Sequence, residues 1–219
     1  MRLLLAFIIG GGFLTFSGFQ EYKVSSNAKS TPTKVTVEDL EKGVKLKNNH
    51  VQLNEHAALI GGCVYSARLE KGEYAVQDSS KVEYVYYPII SYSHPYFVEQ
   101  DKLIEKFGSY EAIPKNQLPK LKNIKVMVKS KKYDTVGSIP EEVDHKDNFK
   151  GLVINSISSI KGEEADLLKQ SFPDLNVSKV IIIEQDRKPS SMMLSMLMMA
   201  GGVLIIAGGG AWSIKSLRS

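Results

Sequence analysis

Met192–Ile214 reads MMLSMLMMAGGVLIIAGGGAWSI, and no charged residue stands between Lys188 and Lys215. An α-helix rises about 1.5 Å per residue, so a helix of about 23 residues reaches roughly 34 Å. That length crosses a hydrocarbon core of about 30 Å with some tilt. Residues 190–214 are therefore expected to form a transmembrane helix, with 215–219 as a cytoplasmic tail. Every other segment is then read by the side of the membrane it occupies.

At the other end, Leu3 to Phe19 reads LLLAFIIGGGFLTFSGF, with Arg2 before it and Glu21 after. Residues 1–19 admit two readings, a cleaved signal peptide or an uncleaved transmembrane signal anchor. Thr15 and Ser17 offer small residues for cleavage. No A-x-A pattern is present, and Phe16 and Phe19 keep the segment apolar to its end, which favours the anchor. Arg2 flanks the first span, and Lys215 and Arg218 flank the second. Two spans then leave both termini cytoplasmic and the middle extracytoplasmic, periplasmic or lumenal. Lys23, Arg187 and Lys188 lie on the domain side and oppose this orientation.

The net charge of +4 sits at the ends. Without Arg2, Lys215 and Arg218, 25 basic residues face 24 acidic ones. A nucleic-acid partner requires clustered, uncompensated positive charge, so this balance argues against one. Cys63 is the single cysteine, which excludes an internal disulfide scaffold and any CxxC zinc or redox site. Its setting, ALIGGCVY, reads as a small buried apolar residue.

Residues 20–34 contain SSNAKSTPT and read as a linker; residues 35–188 read as one soluble, β-rich domain. Thr36 with Asp39 has the spacing of a helix cap, and Gly43 is a natural stop, predicting a short helix between them. In His50–Leu69, Val51, Leu53, Ala57 and Leu59 alternate, Gly61-Gly62 interrupts, and Cys63, Tyr65, Ala67 and Leu69 resume. That pattern predicts a strand, a bulge and a second strand. Lys81–Ser93 is apolar or aromatic on both faces and reads as a central strand, with Pro88 arguing for an edge or bulge. Val98–Phe107, ending at Gly108, reads as a short amphipathic helix. Further strands are expected over Ile124–Val128, Phe149–Ile160 and Val180–Glu184, and a helix over Glu163–Phe172, ended by Pro173.

Little in the chain carries chemistry. His50 and His56 are an even number of residues apart, so one unbroken strand projects both on one face. No third metal ligand accompanies them, and His94 and His145 stand apart in sequence. Cys63 with a histidine is the one nucleophilic pairing available to a membrane-associated hydrolase or redox enzyme. No hydrolase, zincin, Walker A or dinucleotide motif occurs. No catalytic, metal or cofactor residue is assigned. Lys115–Lys132 holds seven lysines and no acid, a surface suited to anionic lipid or an acidic partner. Its alternation of Ile124, Val126 and Val128 against lysines predicts a strand with one solvated face. Asn176-Val177-Ser178 has the spacing of a glycosylation sequon.

The spans carry small residues suited to close helix packing. Gly11, Thr15 and Gly18 share one face; Ala200, Leu204, Ala207 and Ala211 share one face of the second span. The expected fold class is α+β. A β-rich extracytoplasmic domain, a small barrel or OB-like sheet with two or three short helices, is flanked by two transmembrane helices. The expected role is a non-enzymatic interaction or assembly-accessory domain at the membrane surface. Its expected partners are the bilayer and a membrane protein, or a second copy, engaged through the small-residue faces.

Overall fold

The computed structural model describes residues 2–69, 72, 74–141, 143–146, 148–154 and 163–218. The chain forms two compact units, one of residues 1–31 with 188–219 and one of residues 32–187.

The first unit is a helical hairpin of α1 (Arg2–Ser25) and α5 (Met192–Arg218). Both helices are long and apolar enough to cross a membrane. α1 runs to Ser25, so the residues after Phe19 continue the helix before any linker begins. Glycine sets the closeness of the pair. A Cβ on Gly11 would lie 2.6 Å from the Gly202 carbonyl oxygen, and one on Gly18 would lie 2.8 Å from that of Ser195. Gly11, Thr15 and Gly18 thus form the packing face of α1, as their spacing predicts. On α5 the face differs from the expected one. Ser195, Gly202 and Gly209, seven residues apart, meet α1 and are buried. Ala200, Leu204, Ala207 and Ala211 lie about half a turn away and are exposed. The chain of small residues winds around α5, and only the contact with α1 selects which stripe is used.

The second unit is mixed α+β. Among the described residues nine strands form one sheet that curls into a half-barrel. They are β1 (Thr33–Val35), β2 (His50–Leu53), β3 (His56–Leu59), β4 (Val64–Arg68), β5 (Lys81–Ile90), β6 (Val126–Ser130), β7 (Val143–Lys146), β8 (Phe149–Val153) and β9 (Ile181–Gln185). The α-helices among the described residues of this unit are α2 (Val37–Glu41), α3 (Pro95–Phe107) and α4 (Glu163–Ser171).

The strand order is β1-β2-β8-β9-β6-β5-β3-β7, with β4 also on β5. β2 and β3 are separated by Asn54 and Glu55 alone, yet four strands of the path lie between them. One bent segment therefore serves both ends of the curl, β2 pairing with β8 and β3 with β5. The pairs are antiparallel except β1–β2 and β6–β9, which are parallel.

The break at Asn54-Glu55 shifts the phase of alternation. Val51 and Leu53 enter the inner core from β2, but Ala58 and the following Ile60 enter it after the break. The uninterrupted pattern Val51, Leu53, Ala57, Leu59 is thereby corrected. The bulge at Gly61-Gly62 is present as a single turn of 3₁₀ helix over Ile60–Gly62. A Cβ on Gly61 would strike the Glu141 carbonyl, so a side chain is excluded there.

β5 is the central strand. Val85, Tyr87 and Ile89 face the inner core, and Tyr84 and Tyr86 face an outer cluster. Pro88 falls between the part of β5 paired with β4 and the part paired with β3, where the ladder is already interrupted. α2 contributes Val37 and Leu40 to the inner core, and α4 contributes Ala165 and Leu168 to the outer cluster. β6 is buried on both faces, Val126 and Val128 inward and Met127 outward. The expected solvated lysine face of this strand is therefore covered. β1 overlaps the end of the stretch expected as linker, and β7 had no pattern of its own. The expected continuation of β8 over residues 155–160 lies outside the described residues.

Candidate functional site

The Thr36 side chain accepts a hydrogen bond from the Asp39 amide at 3.0 Å and starts α2; Gly43, at φ +81°, ends it. This turn brings two glutamates to one rim of the domain. Glu41 reaches the segment after β5, where its carboxylate accepts from the Ser91 amide at 3.1 Å and the Ser91 hydroxyl at 2.6 Å. The Ser91 and Ser93 hydroxyls are 3.1 Å apart. The Ser91 proton is committed to Glu41, and the Ser93 hydroxyl also lies against the Glu38 carboxylate. Glu38 pairs with Lys42 at 2.7 Å, and that hydrogen bond, with the lysine charge, lowers its pKa.

His94 caps α3. Its Nδ1 accepts from the Tyr96 amide at 3.2 Å, and Pro95 occupies the first helical turn. An Nδ1 that accepts places the proton of a neutral imidazole on Nε2. His94 is 5% exposed, and its Nε2 has no hydrogen-bond partner. A buried N–H without an acceptor costs about 1–3 kcal/mol. The helix start here escaped the sequence reading, which began it at Val98. The signal was the Ser-His-Pro triplet, a cap followed by proline at the first helical position.

Two neighbouring cavities share this rim. One, of 280 Å³, is lined by Glu38, Glu41, Lys42, Ser93, His94, Pro95, Asn123 and Lys125. The other, of 590 Å³, is lined by Thr36, Val37, Glu38, Asn54, Glu55, Ser91, Tyr92, Ser93 and Asn148. Glu38 and Ser93 belong to both. The Tyr92 ring is 45% exposed and is flanked by Phe97 at 5.9 Å. The bend at Asn54-Glu55, which sets the strand order, also supplies two polar walls of the larger cavity.

The other residues of interest are dispersed. The bend and its phase shift separate His50 from His56. His56 faces the inner core against Phe149, with rings 5.9 Å apart, and its Nδ1 donates to the Asn54 carbonyl at 2.7 Å. His50 has the opposite parity to Val51 and Leu53. Cys63 borders a 320 Å³ cavity with Asp78, Gly137 and Glu141, and no described imidazole lines it. Burial raises the Cys63 pKa, the opposite of what thiolate chemistry requires. No cluster of three metal-ligating side chains occurs among the described residues.

Of the lysine stretch, Lys129 is drawn under α4. Its ammonium lies 4.0 Å from the Tyr84 ring centroid and 4.0 Å from a Glu164 carboxylate oxygen. Burial lowers its pKa, and Glu164 and Glu184 oppose that shift. The Tyr84 hydroxyl donates to the same Glu164 carboxylate, and burial followed by this bond pushes Tyr84 up to about 12. Lys131 is 3.0 Å from Glu184, so its charge is answered; Lys115, Lys120, Lys122, Lys125 and Lys132 remain exposed. Asn176 is exposed in a turn, its amide oxygen accepting from the Ser178 hydroxyl at 2.7 Å. Comparison with protein-family models, curated proteins and solved structures finds no match to this chain.

Proposed function

We propose that this protein is a membrane-anchored binding module, a non-enzymatic accessory domain that holds a partner at the membrane surface. The observation that carries the reading is the α1–α5 hairpin, whose two apolar helices pack through glycines at a distance no larger residue permits. A hairpin built this way is a fitting two-span anchor. Charge at the helix ends, Arg2, Lys215 and Arg218, supports cytoplasmic termini and an extracytoplasmic domain. The bent β2–β3 segment, shared by both ends of a five-strand circuit with one parallel pair, supports an OB-like barrel. Such barrels are scaffolds for binding on loops and rims. The hydrolase or redox alternative draws no support from Cys63, whose cavity contains no described histidine.

A second reading rests on the exposed Lys115, Lys120, Lys122, Lys125 and Lys132, a surface suited to anionic headgroups. One experiment separates the two. Amine labelling of these lysines is compared between native membranes and the purified full chain in discs of the same lipids. Protection in membranes alone supports a protein partner, and protection in both supports lipid contact. Equal labelling in membranes, discs and detergent overturns both. Release of the chain from membranes by alkaline carbonate overturns the anchor itself.

A further inference from the structure

We propose that His94 is a pH-dependent latch on α3: the neutral imidazole caps the helix, and the imidazolium leaves the cap for the carboxylates of α2, freeing the helix start. At the first turn of α3, His94 answers every backbone amide. Its Nδ1 accepts from the Tyr96 amide at 3.2 Å, and its carbonyl accepts from the Phe97 and Val98 amides at 3.0 and 3.3 Å. Pro95 has no amide to answer. The preferred cap residues, Ser, Thr, Asp and Asn, keep an acceptor oxygen at neutral and mildly acid pH. Imidazole is the side chain that changes charge between about pH 5 and 8. A proton on Nδ1 removes the acceptor and sets two N–H donors against each other. The positive end of the helix also opposes a cation at this position.

The surroundings give a charged ring no relief in place. His94 is 5% exposed, and its Nε2–H has no acceptor among the described residues. The charged groups around the 280 Å³ cavity that it borders are Glu38, Glu41 and Lys42 of α2, and Lys125 before β6. The lysines oppose an imidazolium and the glutamates attract it. Glu38 is paired with Lys42 and Glu41 with Ser91, and neither carboxylate bonds His94 in the capped state. Reaching them requires the ring to turn out of the cap. Little else holds α3 in place. It buries no residue, whereas α2 buries Val37 and Leu40 and α4 buries Ala165 and Leu168. A helix of 13 residues without a buried face depends on its ends. Because the cap takes only the neutral ring, docking of α3 is complete above the imidazole range and is lost as pH falls through it. Ser93, His94 and Pro95 form one wall of the cavity, so release opens the rim, whatever the rim binds.

The test is amide hydrogen exchange on the full chain in detergent, resolved to single residues and corrected for intrinsic rates, at about pH 7.5 and about pH 5.5. Protection of Tyr96, Phe97 and Val98 is expected to fall about tenfold or more at the lower pH, while that of Val85 to Ile89 in β5 holds. His94→Asn keeps an acceptor for the cap and removes the titration, so its α3 protection is expected to be equal at both values. Imidazole nitrogen shifts are expected to place the His94 proton on Nε2 at the higher pH and protons on both nitrogens at the lower. Unchanged α3 protection in the native chain overturns the proposal. So does an equal fall in His94→Asn, which assigns the response to another group, and so does a joint loss in β5, which makes it global unfolding. A ring that carries its proton on Nδ1 at the higher pH, or stays neutral at the lower, overturns it with no variant needed.

Discussion

Tyr84, Tyr86 and Tyr87 all have their pKa raised, above all by burial, against an ordinary value of 10.0. Their neutral form is favoured when folded. Below the ordinary value both states are neutral and the contribution is complete. As pH rises through about 10 and on to about 12, the unfolded chain ionises first and stability is lost. Melting temperature should fall across this window, with tyrosinate absorbance appearing in the same step as unfolding. Tyr84→Phe should make the decline shallower; an unchanged slope would show that Tyr84 titrates in the folded state as it does unfolded. Glu184 works in the opposite sense. Burial alone would raise its pKa, but the hydrogen bonds and charges of Arg187 and Lys131 together outweigh burial and lower it. Its contribution is present above the ordinary carboxylate value and fades as pH falls through its folded one. Neither effect could be read in sequence, because each depends on which side chains tertiary packing brings alongside.

The helical hairpin is decided at the scale of the element. A Cβ on Gly202 would meet the Thr15 hydroxyl, the Gly11 carbonyl oxygen at 2.5 Å and the Thr15 amide at 2.7 Å. Two of these are backbone atoms and cannot rotate away. Gly202→Leu should therefore separate α1 from α5. Leu14→Cys with Gly201→Cys, in a Cys63→Ser background, is expected to cross-link on oxidation. Adding Gly202→Leu should abolish the cross-link, and its persistence would show that the glycine contact is dispensable. Gly208, one helical step from the contact stripe, has open space around it, so Gly208→Leu serves as the silent control. The length of both helices was legible from composition. The face was legible for α1, where small residues occupy one stripe, and not for α5, where they occupy two.

For the whole domain the decisive features are the bend at Asn54-Glu55 and the joint between β8 and β9. At that joint Gly151 pairs with Gln185 across antiparallel strands, and a Cβ would lie 2.6 Å from the Ile183 Cγ2 and 2.7 Å from the Glu184 carbonyl oxygen. Gly151→Ala should cost about 1–3 kcal/mol as overpacking, seen as a lower urea midpoint with the slope unchanged. A neutral result would mean that the joint has slack and does not fix the curl. The central position of β5 and the caps of α2 could be read locally, since two-sided burial and side-chain capping leave marks within a few residues. The strand order could not, because pairing β2 with β8 joins residues about a hundred positions apart.

The sequence by itself determined the two apolar helices, the α+β class, the short helix after Thr36 and the two-faced β5. Each follows from hydrophobic periodicity or a local cap, which act over one or two turns of chain. Only the tertiary structure decided the phase shift after Leu53, the separation of His50 from His56 and the stripe of α5 that meets α1. It also placed Lys129 under α4 and assembled the rim of Glu41, Ser93, His94 and Tyr92. These depend on contacts between residues far apart in the chain, and the free energy that selects them is burial and hydrogen bonding among groups that local periodicity does not connect.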